Sequence, residues 1–215
     1  MGFNIKKKAD ESLKSVCIID FETTGFKAGR DRIIEVGAVK LINNEVEDTF
    51  QQLMEPPDTF ITDEIEGFTG ISQEMIEGKP DPLETIPELY KWIGDSVMIA
   101  HNASFDTRFC IAEMEMAGFT FDNPWLCSLA LSRRMYQDLE NYKLLTIIHS
   151  LGLEREESHR ALDDAIMTTR LWIALYDSIQ RKLGNVELTL EILQKLMKVQ
   201  KAKVKSWFIK IGGLL

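Results

Sequence analysis

The segment Ser15–Phe21 (Ser-Val-Cys-Ile-Ile-Asp-Phe) constrains this chain more than any other. It is short, apolar and β-prone, and predicts a buried strand. Its end carries Asp20, and Glu22 follows two residues later. Residues two apart on a strand share a face, so both carboxylates leave an apolar strand on one side, at its C-terminal end. Burying two like charges without compensation is costly, and a partner cation is therefore expected. Two other readings stand beside it. Asp20 could cap the following turn while Glu22 is solvated, or the two could form a glycosidase acid/base pair.

The strand begins a regular pattern. Thr23-Thr24-Gly25 punctuates it, Ile33–Ile42 reads as a second strand, Asn43-Asn44 as a turn, and Val46–Met54 as a third strand. This spacing predicts an antiparallel meander, ended by Pro56-Pro57, which offers no donor to a ladder. From Thr62 the pattern turns helical. Leu83, Ile86, Leu89, Tyr90 and Ile93 share one face, and Val97–Ala100 predicts a fourth strand. A helix follows with Phe105, Phe109, Ala112 and Met116 on one side. Tyr142–Leu151 reads as another, closed by Gly152, and a long final core helix carries Leu162, Ile166, Thr169, Ile173 and Tyr176 as its stripe. Strands first, then strands alternating with helices, give an α/β domain with a mixed sheet.

The 215 residues suit one domain with appendages: a basic extension over 1–14, a main domain over 15–180 and a basic helical extension over 181–215, with Gly184-Asn185 near the last boundary. The formal charge is −9, but it is unevenly spread. Residues 181–215 hold eight Lys or Arg against Glu187 and Glu191, a net of +6. Residues 1–14 hold four Lys against two acids, a net of +2, which leaves −17 on the stretch between. An acidic body is either a solubilised surface or one whose acidity includes a cation site. No run of about 18 apolar residues exists, which excludes a membrane-spanning helix. Met1–Lys8 lacks the apolar stretch of a secretion signal. Cys17, Cys110 and Cys127 are odd in number and widely spaced, matching neither a disulfide framework nor a zinc site, so a reducing, cytoplasmic home is expected.

Two further segments carry chemistry. Asp106 closes His101-Asn102-Ala103-Ser104-Phe105-Asp106, just after the fourth strand, where an acidic residue at a helix N-terminus also satisfies the helix dipole. His159-Arg160-Ala161-Leu162-Asp163-Asp164 opens the final core helix. His159 and Asp164 lie five positions apart, about 140° around an ideal helix. They converge only if His159 stands in the loop before the helix. Helix phase leaves Asp163 and Asp164 both off the apolar stripe and does not choose between them.

Taken in order, these segments resemble the DEDDh 3′→5′ exonucleases, the family that includes the proofreading (epsilon-like) subunits and domains of bacterial replicative polymerases. Asp20-Phe21-Glu22-Thr23-Thr24-Gly25 is similar to the first motif, His101–Asp106 to the second, and His159–Asp164 to the third. Thr69-Gly70-Ile71-Ser72 and Glu140-Asn141-Tyr142-Lys143-Leu144 fit weaker signatures between them. The similarity covers roughly residues 15–177. It implies a ribonuclease H-like fold, a central mixed five-stranded sheet flanked by helices. It also implies that Asp20, Glu22, Asp106 and Asp164 are metal ligands and His159 the general base, and its motif spacing prefers Asp164 to Asp163. Two Mg²⁺ or Mn²⁺ ions suit an all-oxygen donor set. Such ions about 3.5–4 Å apart can activate a water and stabilise a leaving 3′ oxygen, while a histidine of ordinary pKa takes the water's proton. Thr23, Gly25 and Phe26 would approach the terminal nucleotide, Gly25 by close backbone approach. Asn102 would bond a sugar or phosphate, or cap its helix. Thr69 stands where some relatives have histidine. His101 reads as a supporting residue and His149 as a surface one.

The implied activity is hydrolysis of DNA from its 3′ end to nucleoside monophosphates, in proofreading or repair. An RNA 3′-end exonuclease would use the same constellation, and an inert module binding nucleic acid or a polymerase has no need of it. The glycosidase reading leaves two carboxylates and a histidine unused. Beyond the resemblance, Val186, Leu190, Leu193, Met197 and Val204 mark an amphipathic basic helix, with Lys195, Lys198, Lys201, Lys203 and Lys205 clustered beyond its start and Trp207-Phe208-Ile209 following. Three roles fit it: docking on its own domain or on another copy, holding a DNA polymerase subunit, or gripping nucleic acid.

Overall fold

The computed structural model describes residues 13–154 and 160–212. The basic residues 1–12 and His159 lie outside the described residues. Strands β1 (Ser15–Thr23), β2 (Ile33–Ile42) and β3 (Glu45–Leu53) form the expected antiparallel meander. Asn43 and Asn44, in the turn between β2 and β3, both take positive φ (54° and 65°), a conformation asparagine tolerates better than most residues. Strands β4 (Val97–Ala100) and β5 (Trp125–Cys127) join in parallel on the other side of β1, giving the order β3-β2-β1-β4-β5. The sheet is therefore mixed and five-stranded, and the C-terminal ends of β1, β4 and β5 lie along one edge.

Alternation along β1 sets two faces. Cys17, Ile19 and Phe21 join a core beneath α3 (Pro82–Ile93) and α4 (Ser104–Met116). Val16 and Ile18 join the opposite core. That core is covered by α5 (Ser128–Met135), α6 (Leu144–Ser150) and the long α7 (Ala161–Leu183). Two short helices, α1 (Asp63–Thr69) and α2 (Gln73–Ile76), lie beyond β3, with Ile34, Ile61, Ile71 and Ile76 in a small core of their own.

The helix faces differ in detail from the sequence expectation. Leu83 and Met116 are exposed, and α4 buries Asp106, Phe109, Cys110, Glu113 and Met114 instead of a purely apolar stripe. On α7 the expected Leu162, Ile166, Ile173 and Tyr176 are only half-buried. The buried residues are Ala161, Ala165, Met167, Thr168, Thr169, Leu171, Trp172, Leu175, Ile179 and Leu183. Close packing on a sheet is the reason: α7 meets β1 and β2 with its smallest residues at its N-terminal end. Opposite them stands Gly37, where a Cβ would come within 2.0 Å of the Leu162 backbone nitrogen. Hydrophobicity picks out the larger residues, whereas the close approach needs the smaller ones.

α7 runs on through residue 180, and α8 (Leu190–Lys198), a 3₁₀ turn at Lys201–Lys203 and α9 (Val204–Lys210) follow it. Their apolar side chains, Leu190, Leu193, Leu196, Val204 and Phe208, are buried in the same core as α7. No helix among the described residues is long and apolar enough to cross a membrane.

Candidate active site

Asp20 and Glu22 continue the face of β1 that begins with Val16 and Ile18, so both point towards α7. The correct phase of α7 completes the arrangement. Asp164 lies three residues after Ala161 and four before Thr168, in the first turns of the helix and on its sheet-facing side. Carboxylate oxygens of Asp20, Glu22 and Asp164 all lie within 4.8 Å of one another. Asp163, the neighbour that the stripe could not separate from Asp164, is not in this group.

Asp106 arrives from the other face of the sheet. It sits in the first turn of α4, 3% exposed. Burial pushes its carboxyl up to about 7, with hydrogen bonds from the backbone at Asp106 and Phe21 pulling the other way. Phe21 stands between Asp20 and Glu22, so Asp106 is tied to the strand that carries them. Burial and the charges of Asp106, Asp164, Glu22 and Glu35 push Asp20 well above the usual carboxylate range. Glu22 is pushed up to about 8, by burial first and then by Asp164, Glu35 and Asp106, against a smaller opposing effect from Arg160. Four acidic side chains thus share one end of the sheet, and the charges of Asp106 and Asp164 add to burial in making Asp20 and Glu22 harder to ionise. An oxygen-only donor set of this kind fits hard divalent cations, because the ion's charge offsets both the burial and the acidic neighbours that raise these carboxyls.

The frame around the cluster was not legible as such. Glu35 on β2 faces Glu22 in register and is completely buried. Arg160, the residue before α7, donates to it through Nε at 2.9 Å and through Nη2, and the Ala161 N–H adds a 3.2 Å bond. This pairing seats the first turn of α7 and hence Asp164. Gly37, directly opposite Asp20, supplies the clearance. A glycine inside a strand is itself a signal of close backbone approach.

Beyond β1 a cleft of about 590 Å³ opens, lined among others by Glu22, Thr23, Gly25, Phe26, Phe68 and Thr69. Thr23 donates its hydroxyl to the Gly25 carbonyl at 2.6 Å, shaping the turn. Gly25 has no room for a side chain because the Asp31 carboxylate, which accepts the Lys27 N–H, would lie 2.5 Å from its Cβ. Phe26 is 72% exposed and meets Phe105 edge-on, and Phe68 is 70% exposed, so two aromatic rings stand open at the rim. Thr69 is buried, accepting from the Ile71 N–H and donating to the Ile65 carbonyl.

Asn102 is exposed with φ 68°, and the helix after it has no side-chain cap; of its two expected roles, capping is the one the structure does not use. His101 is supporting: Nε2 donates to the Tyr142 carbonyl at 2.9 Å, and Nδ1 faces the Ser128 hydroxyl at 2.9 Å. Burial pushes its pKa down, so the neutral ring accepts from Ser128. His149 is exposed.

A mixed sheet with acidic groups gathered at one end fits a nuclease, and comparison with known proteins gives the family. Residues 17–172 match the RNase_T exonuclease model, and the chain belongs to that family. It is 39% identical over 154 residues to the PolC-type DNA polymerase III of Clostridium perfringens, covering 72% of this chain but 11% of that polymerase. It is 32% identical over 168 residues to the DNA polymerase III subunit epsilon of Aquifex aeolicus, covering 78% of this chain and 83% of that subunit. Among solved structures it resembles exonuclease X in complex with a 5′-overhanging duplex DNA (TM-score 0.68, 25% identity, 85% of this chain and 99% of that one). The nuclease domain of 3′hExo, a DEDDh family member bound to rAMP, shares the fold (TM-score 0.66, 22% identity, 79% and 94% covered). The chain is thus an exonuclease domain of epsilon type, from a family that works with divalent metal ions.

Proposed function

We propose that this protein hydrolyses DNA from its 3′ end, releasing nucleoside monophosphates, in proofreading or repair. The observation that carries the reading is the convergence of Asp20, Glu22 and Asp164 within 4.8 Å, with Asp106 buried against the same strand. Asp20, Glu22, Asp106 and Asp164 would hold two Mg²⁺ or Mn²⁺ ions. Bound there, the ions supply an activated water and charge stabilisation for the leaving 3′ oxygen. The chain's own residues do the rest. The cleft beside Glu22 receives the terminal nucleotide, with Phe26 offering a face or edge to the base and the Thr23–Gly25 turn lining its approach. Asn102, exposed on its left-handed backbone, would bond a sugar or phosphate. His159, one residue before the Arg160 anchor, takes the proton from the attacking water. The DNA preference rests on the two polymerase III relatives and on the duplex DNA in the exonuclease X structure. A polymerase subunit is the partner those relatives suggest.

The test uses a 5′-labelled single-stranded DNA and its RNA counterpart, each with Mg²⁺, Mn²⁺ or a chelator. A metal-dependent ladder that shortens from the 3′ end, faster on DNA, is expected. Faster shortening of the RNA would assign an RNA 3′-end exonuclease instead. No cleavage of either, with binding retained, would mark an inert module.

A further inference from the structure

The segment after α7 buries its apolar side chains against its own domain, which leaves the lysines. Residues 198–210 contain five Lys and no acidic residue. Lys198, Lys201, Lys203, Lys205 and Lys210 are all exposed. Their position relative to the site follows from the sheet. The Cys127 N–H, at the C-terminal end of β5, donates to the Met197 sulfur at 3.2 Å. The C-terminal ends of β1, β4 and β5 share one edge of the sheet, so Lys198 and the residues after it begin at the same end of the sheet as Asp20 and Glu22.

This segment is held in place. Arg134 of α5 donates to the Val199 carbonyl at 3.0 Å, and Gln137 donates to the Lys201 carbonyl at 3.1 Å. Lys201 in turn donates to the Tyr142 hydroxyl at 3.0 Å and lies 4.8 Å above that ring, with Arg133 5.7 Å from it. Tyr142 accepts from His101 through its carbonyl, and His101 precedes Asn102. A continuous set of contacts therefore leads from the second motif of the site, through Tyr142, to Lys201, whose neighbours Lys198, Lys203 and Lys205 are exposed on the same held backbone.

We propose that Lys198, Lys201, Lys203, Lys205 and Arg133 form a track for the phosphates of a single-stranded polynucleotide, holding the strand upstream of the 3′ end that enters the cleft. The inference rests on the exonuclease reading for the direction of the strand, but not for its chemistry. Over residues 15–180 the chain carries a net −17, which repels a polyanion. Cations carried on a held backbone at the site's end of the sheet offset that repulsion where the strand must pass, releasing counterions as they engage phosphates. A protein partner is the weaker reading because no continuous apolar face of α8 or α9 is left open; Ile209 alone is a large exposed apolar side chain there.

The test compares the native chain with the variant Lys198→Gln, Lys201→Gln, Lys203→Gln, Lys205→Gln. Binding of a (dT)20 oligonucleotide is measured between 50 and 300 mM salt in the presence of a chelator, and hydrolysis of (dT)3 with Mn²⁺. The four substitutions should weaken (dT)20 binding by about tenfold or more and reduce the slope of log K against log salt by about 2–3. Cleavage of (dT)3 should keep its kcat. Lys203→Gln with Lys205→Gln, both fully on the surface, should show about half the change in slope and guards against a folding defect in the larger variant. Unchanged (dT)20 affinity and slope would overturn the track and leave an acidic protein face as the partner of these lysines. Failure of the native chain to cut (dT)3 would instead overturn the exonuclease reading, and the lysine dependence of binding would still decide the track.

Discussion

Glu35 and Glu113 are both fully buried, and each is met by an arginine. Arg160 reaches Glu35 from the start of α7, and Arg32 reaches Glu113 through two bonds of 2.8 and 3.0 Å from the start of β2. A few residues away, Asp20 is also largely enclosed, but every neighbouring charge that shifts it is acidic, so burial and those charges together hold it well above the usual carboxylate range. The first pair of acids stabilises the architecture in the state seen. The second set is harder to keep ionised in the absence of a cation, and that is the property of a binding site rather than of a frame. What separates structure from function here is therefore the identity of the neighbour and not the depth of burial. The two groups are also mechanically linked, since the Glu35–Arg160 pair seats the helix turn that presents Asp164.

The largest expected effect comes from removing a member of the acidic cluster. Asp20→Ala should lower metal-dependent hydrolysis by roughly 10³-fold or more, because several kcal/mol of charge stabilisation are lost with the ion. It should leave thermal stability in chelator equal or higher, since one repelling charge is gone. Retained turnover on a labelled oligonucleotide would sink the site assignment.

Arg160→Ala is the opposite experiment. It leaves a completely buried Glu35 without its guanidinium and beside other carboxylates, so unfolding in urea should show a loss of about 3–5 kcal/mol. An unchanged midpoint would mean the pair is not holding α7. Gly37→Ala sits between the two groups in effect. Its Cβ meets backbone atoms of Ala161 and Leu162, which cannot rotate away, so overpacking should cost about 1–3 kcal/mol. Because α7 must shift, Mn²⁺ affinity should fall as well, by roughly 10–100-fold if Gly37 acts as a supporting residue of the site. A stability loss with native Mn²⁺ affinity would confine Gly37 to packing.

The smallest expected effect is on pH. Glu22 and Asp106 are raised to about 8 and about 7, so the folded chain holds more protons than the unfolded chain between those values and the ordinary carboxylate range. Stability therefore rises as pH falls. The melting temperature in chelator should increase between pH 8 and pH 6, and saturating Mn²⁺ should stabilise more at pH 8 than at pH 6. A melting temperature flat or falling over that window would mean that burial and the acidic neighbours do not raise these carboxyls.

Much of this was legible from residue spacing. Alternation placed Asp20 and Glu22 on one face of a buried strand, and the meander followed from turn residues at regular intervals. The resemblance anticipated the mixed five-stranded sheet, although β5, only three residues long, left no periodicity to read. The buried face of α7 was misread because apolar residues surround much of that helix, and the close approach at its N-terminal end takes the small ones. The same error hid the choice between Asp163 and Asp164, which follows once Ala161, Ala165 and Thr168 define the face. Glu35 and Arg160 lie 125 residues apart, and no local pattern marks such a pair. The C-terminal segment was recognisable as amphipathic and basic, but it forms α8 and α9 around a 3₁₀ turn where one helix was expected, and only packing shows that its apolar side is used by the domain itself.

The most direct measurement is calorimetric titration of Mn²⁺ into the native chain, Asp164→Asn and Asp163→Asn, all freed of metal beforehand. The account predicts strong binding by the native chain and by Asp163→Asn, and a loss of about tenfold or more in affinity for Asp164→Asn, as expected when a charged ligand is neutralised. Equal binding by all three, or loss confined to Asp163→Asn, would contradict the assignment of this carboxylate cluster as the metal centre.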